Sequence, residues 1–105
     1  KLAVIGTIAA RKVKVTQVSP WPDYVFHDNY YLPSLKELAL YISEHKHLPG
    51  MPDAAQIDKN GQDLGEMNRK LLEKVEELTL YIIQQQKKNE EQQTQIDMLI
   101  KKLTE

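Results

Sequence analysis

The chain has no cysteine, which excludes disulfide staples and thiolate metal sites. It lacks any apolar run near the roughly 18 residues needed to cross a bilayer, and Lys1-Leu2-Ala3-Val4-Ile5-Gly6 is too short for a signal-peptide core. Neither sign of charge is in excess: Lys plus Arg number 14, Asp plus Glu 15, for a net charge of −1. Residues 1–62 hold seven basic and six acidic groups, and residues 63–105 hold seven and nine. That balance leaves no electrostatic footprint for nucleic acid, so no nucleic-acid partner and no membrane insertion are expected. Serine is confined to Ser19, Ser34 and Ser43, and there is no initiating Met. The chain is therefore expected to be the end of a longer protein, with something important upstream.

What remains is a short chain of uneven character. From Leu64 onwards, close to two-fifths of the 105 residues form one polar-rich helical pattern, so a sizeable private core is not expected and buried surface must come partly from partners. At the other end, Leu2 to Ile5, Thr7 to Ala9 and Val13 to Val18 are β-like, with Val13 and Val15 alternating against Lys12, Lys14 and Thr16. These predict narrow strands that end a β-rich shaft, and hence an α+β fold. Gly6 marks a bend between them.

Residues 19–33 carry five of the seven aromatic side chains and are broken by Pro20, Pro22 and Pro33, which favour extended and turn conformations. Trp21, Tyr24, Phe26, Tyr30 and Tyr31 are expected to form a small core against the next helix. The competing reading makes Trp21, Tyr24, Tyr30 and Tyr31 a binding platform for a sugar or peptide. Ser34-Leu35-Lys36-Glu37 is a capping box and predicts a helix from about Leu35 to His45. Its apolar face, Leu35, Leu38, Ala39 and Ile42, is expected to cover the aromatic segment. His47-Leu48-Pro49-Gly50-Met51-Pro52 stops that helix. A second, started at Asp53, should end near Asn60-Gly61, and Asp63-Leu64-Gly65-Glu66 caps a third.

That third helix carries one stripe: Leu64, Asn68, Leu71, Val75, Leu78, Ile82, Gln85, Asn89, Gln92, Ile96, Leu99 and Leu103. The spacing alternates four and three, the heptad period that supercoils helices to the left. Val75, Ile82, Ile96 and Leu103 fall at a, and Leu64, Leu71, Leu78 and Leu99 at d. No Pro or Gly interrupts residues 66–105, so the helix should run on the order of 60 Å. The chain has no second long helix to cover that stripe, and the expected partner is another copy of itself; packing onto the chain's own domain is the alternative for Leu64 to Ile83, where Leu72, Leu80 and Ile83 widen the apolar face, but it does not reach the far end. Gln85, Asn89 and Gln92 occupy three consecutive seam positions, where polar groups fix register and orientation at a cost in stability; an axial water or ion is the alternative. Branched residues at a with Leu at d, and Asn at a, point by themselves to a parallel dimer.

No catalytic constellation emerges. His45 and His47 stand two apart at a helix end, with His27, Asp23 and Asp28 elsewhere, and histidines at a helix C-terminus serve chiefly as favourable charges or caps. No catalytic residue, metal or cofactor is expected, and the chain is not read as an enzyme.

Several motifs taken together suggest a family. Trp21-Pro22-Asp23-Tyr24-Val25-Phe26, Leu32-Pro33-Ser34-Leu35, His47-Leu48-Pro49-Gly50-Met51-Pro52 and Asp63-Leu64-Gly65-Glu66-Met67-Asn68, running into Leu71 to Tyr81, resemble the C-terminal domain of tail-fibre-like proteins of bacteria and their phages. Lys1 to Ile8 looks like the shaft-to-cap junction of the same proteins. In plan the chain is also similar to the intramolecular chaperone domains that end endosialidases and other tail spikes. The resemblance implies three parallel chains, a role in oligomerisation and folding of the fibre, and a virion tail fibre or cell-surface fibre as its setting. It implies a division into residues 1–18 as the end of the shaft, 19–62 as the cap and 63–105 as the oligomerisation helix. A homotrimer is therefore expected in place of the homodimer. The second functional reading is a receptor- or glycan-binding fibre tip, with a cell-surface receptor as partner. Those chaperone domains often cut themselves off at a Ser-Asp start. Ser19 precedes Pro20 here, Ser34 caps a helix and Ser43 lies within one, so this domain is expected to stay attached.

Overall fold

The structure, a computed structural model, describes residues 1–16 and 19–105. Among the described residues four helical elements follow in order: a 3-10 turn η1 (Pro22–Phe26), then α1 (Leu35–His45), α2 (Ala54–Asn60) and α3 (Leu64–Thr104). Each α-helix starts on the residue that its local chemistry selects. The Ser34 hydroxyl accepts from the Glu37 amide at 3.1 Å, and Asp53 and Gln56 form a reciprocal capping box. The Asp63 carboxylate accepts from the Glu66 amide at 2.9 Å. Each bond satisfies an amide that the first turn would otherwise leave unpaired. The stops are equally local. Lys46 takes a left-handed conformation with its amide returning to Ile42, and Gly61, at φ 69°, bonds back to Ile57, a geometry that favours glycine.

The expected α+β fold is overturned: among the described residues all regular structure is helical, and there is no strand. Residues 1–16 run without regular structure and are exposed throughout. Leu2 is 88 % exposed and Ile5 fully so. A strand exists only by pairing with another, and a β-like composition without a ladder partner gives no ladder. The predicted third run extends to Val18, and Gln17 and Val18 lie outside the described residues.

The core is very small and lies where η1 packs on the first half of α3. Val25 and Pro22 are fully buried there. This corrects the expected aromatic core, for Trp21 and Phe26 are both about half exposed: in the 3-10 turn Pro22 and Val25 fall three residues apart and share the inward face. The expected cover from α1 is corrected too. Leu38 is half-buried, whereas Leu35, Ala39 and Ile42 face solvent. Just before α1, the Pro33 carbonyl accepts from the Tyr81 hydroxyl of α3 at 2.7 Å.

Candidate assembly interface

The cap packs on the charged side of α3, not on its apolar stripe. In the heptad frame, Glu66, Glu73 and Leu80 are at f, Arg69 and Glu76 at b, Lys70 and Glu77 at c, and Met67, Lys74 and Tyr81 at g; each is buried or half-buried. Over the same turns every a and d position is open to solvent. The eight aliphatic seam residues, Leu64, Leu71, Val75, Leu78, Ile82, Ile96, Leu99 and Leu103, are between 48 and 85 % exposed. Asn68, Gln85, Asn89 and Gln92 are exposed as well. All the predicted seam residues thus lie along one uncovered face, and the Gln85 amide donates to the Asn89 side-chain carbonyl at 3.1 Å within the same helix.

Hydroxyl and carboxylate groups hold the covered side. Tyr24 donates to Glu73 and receives an N–H bond from Arg69 at 3.2 Å. Arg69 in turn pairs with Glu66 and lies 4.0 Å from Glu73. Tyr30 donates to Glu77 at 2.8 Å, and Lys74 bonds the other oxygen of that carboxylate at 3.0 Å. Burial and the bonds to Glu73 and Glu77 push the Tyr24 and Tyr30 hydroxyls above the ordinary phenol range. The Arg69 bond holds the Glu66 carboxyl below its usual value. One group is left over. Glu76 is 8 % exposed, and its Oε2 has no hydrogen-bond partner. Burial, with Asp23 and Glu73 nearby, pushes its carboxyl up.

The four aromatic residues of the competing platform reading part company. Tyr24 and Tyr30 stack at 5.8 Å between ring centres and spend their hydroxyls on α3. Trp21 stays 54 % and Tyr31 71 % exposed, with Tyr31 bonded to Glu37. At the end of α1, His45 and His47 gather around Tyr41 at 4.2 and 5.6 Å, and among the described residues no group of three or more metal-ligating side chains forms. Among the described residues no helix is long and apolar enough to cross a membrane.

Sequence reasoning missed the docking face. Glu73, Glu76, Glu77 and Arg69 carried no expectation of their own. The available signal lay in the pairing of two things: tyrosines concentrated in residues 24–31, whose hydroxyls need partners when buried, and acidic groups clustered at 73–77. No family model, curated protein or solved structure matches the chain.

Proposed function

We propose that this chain is an assembly module that joins three identical chains through a parallel coiled coil of α3. It serves as the terminal oligomerisation and folding-template unit of a tail fibre or cell-surface fibre. The observation that carries the reading is the placement of the cap behind the helix, which leaves the whole a/d stripe uncovered beside a core in which Val25 is the one buried aliphatic residue among those described. Burial of apolar surface is the main favourable term in folding, and within one chain that surface is not buried.

The flanks support the orientation. The e positions are Leu72, Thr79, Gln86, Gln93 and Ile100, all uncharged, and the g positions include Lys74, Lys88 and Lys102. An antiparallel pair centred near Lys88 sets these lysines against one another, whereas a parallel arrangement sets Lys74 against Thr79 and Lys88 against Gln93, both neutral. Ile100 at e, 53 % exposed, widens the stripe there, and the copy number of three rests on the resemblance. Linking the helices raises the effective concentration of everything attached upstream, so slow non-local steps become intramolecular. The fibre setting rests on the resemblance of the cap and helix motifs.

The test is the absolute mass in solution of the full chain beside a version ending at Ile83. Three chains, with assembly lost on truncation, is the expected result. Two chains would return the seam to its dimer pattern, and a stable monomer would overturn the proposal. The second reading, a receptor- or glycan-binding tip, is supported by the exposed Trp21 and Tyr31 alone.

A further inference from the structure

A groove of about 110 Å³ opens beside the seam, with Leu38 of α1 and the loop residues Leu48 and Pro49 on one wall and Lys74, Leu78 and Tyr81 of α3 on the other. Leu78 is itself a d residue, so the groove is continuous with the assembly stripe. An apolar cavity of about 150 Å³ admits a benzene ring, so this one has room for a branched aliphatic side chain.

Among the apolar side chains exposed outside the stripe, one on α3 stands near the level of the cap. Ile83 occupies the outer b position, away from the a/d stripe, and is 47 % exposed. It lies just beyond the end of the cap, on the e/b flank of α3, opposite the g/c flank that borders the groove.

Register brings the two together. In a parallel coiled coil a g side chain pairs with the e side chain five positions on in the neighbouring helix. Lys74 therefore pairs with Thr79 of the neighbouring copy, and Tyr81 with its Gln86. The groove spans Lys74 to Tyr81, and the side chain midway between Thr79 and Gln86 on the neighbour's flank is Ile83, which follows Thr79 by four residues and precedes Gln86 by three. In a ring of parallel chains each e/b flank meets the next chain's g/c flank, so every groove has one such neighbour.

We infer that Ile83 of one copy seats in the groove between α1, the Leu48–Pro49 loop and α3 of the next copy, so that each cap is completed in trans. This deepens the proposed function and rests on the parallel assembly argued there. It also explains how α1 is held, since within one chain its apolar face is largely open.

The absence of native cysteine makes the test clean. Leu48→Cys and Ile83→Cys are combined in the full chain, the mass is measured under reducing conditions, and the protein is then oxidised mildly and resolved without reductant. The expected result is a reduced trimer that becomes covalent trimer, with neither single variant giving that product. In parallel, Ile83→Lys should keep three chains but lower the melting midpoint and speed amide exchange in α1. A reduced protein that assembles, yet forms no inter-chain link and melts unchanged as Ile83→Lys, overturns the inference and leaves the assembly function standing. A monomer under reducing conditions, for the native chain as well, overturns both.

Discussion

Replacing Ile82 by alanine tests whether the uncovered stripe is an interface or an ordinary exposed surface. Ile82 is 66 % exposed, and fully burying a side chain of this kind is worth about 1.5–3 kcal/mol. Association therefore gains about two-thirds of that, about 1–2 kcal/mol per chain and about 3–6 kcal/mol per trimer. At 1.4 kcal/mol per factor of ten, the trimer association constant should fall by about 10² to 10⁴. Three chains combine in one step, so the half-assembly concentration scales as the inverse square root of that constant and should rise about 10- to 100-fold. Alanine is the better helix former, so the helix itself is not weakened. The assay is light scattering or sedimentation across a concentration series, with circular dichroism at each point. An unchanged half-assembly concentration would refute the interface. Unfolding of the cap together with dissociation would place Ile82 in the chain's own core, against the exposure seen.

Further outcomes follow from the covered side and the polar layers. Glu76 binds its proton more tightly in the folded chain than in the unfolded one, where it titrates near 4.5. Its stabilising contribution is therefore full below about 4.5 and is lost as pH rises through the folded value. Glu76→Gln should stabilise the chain at pH 7.5 by on the order of 1 kcal/mol, seen as a higher melting midpoint, and shrink the gain that the native chain shows on acidification to pH 5; equal or lower stability at pH 7.5 would contradict this. Asn89→Ile should stabilise the coiled coil while admitting mixed copy number or register, seen as a raised melting midpoint with a broadened mass distribution. Tyr24→Phe leaves Glu73 and Arg69 without the shared hydroxyl and should cost about 1 kcal/mol in denaturant unfolding.

The helices were legible because their signals are local. Ser34, Asp53 and Asp63 mark the starts through side chains that bond amides three residues away, and Gly61 marks a stop through its backbone. The uncovered stripe along α3 was legible because a heptad repeat needs no knowledge of what surrounds it. The β expectation failed for the complementary reason: Val13 and Val15 report that a segment suits a strand, while the ladder depends on a partner elsewhere. The cap failed in part because a tyrosine with a hydroxyl to place can dock on either an apolar or a carboxylate-rich face, and composition does not choose between them. Pairing Tyr24 with Glu73 and Tyr30 with Glu77, across separations of 49 and 47 residues, is long-range information with no local trace.

Docking the cap on the charged side has a thermodynamic consequence. If the aromatic segment lay on Leu71, Val75 and Leu78, each chain would have to release its cap before it could assemble, and folding would compete with association. With η1 on the opposite side, its docking through Tyr24 and the closing of the a/d stripe use different atoms, and those two should contribute independently, separately from any coupling through the groove beside α1. The Tyr24–Glu73 contact and Ile82 lie nine residues apart along α3, about 13 Å at 1.5 Å per residue, beyond the range of about 7–10 Å within which mutational effects usually couple. The double variant Tyr24→Phe with Ile82→Ala should therefore show the sum of the single effects on unfolding of the assembled protein, to within about 0.5 kcal/mol. An interaction energy well above that, in either sign, would mean that cap docking and helix association are one event, and the separation of faces drawn from the structure would not hold.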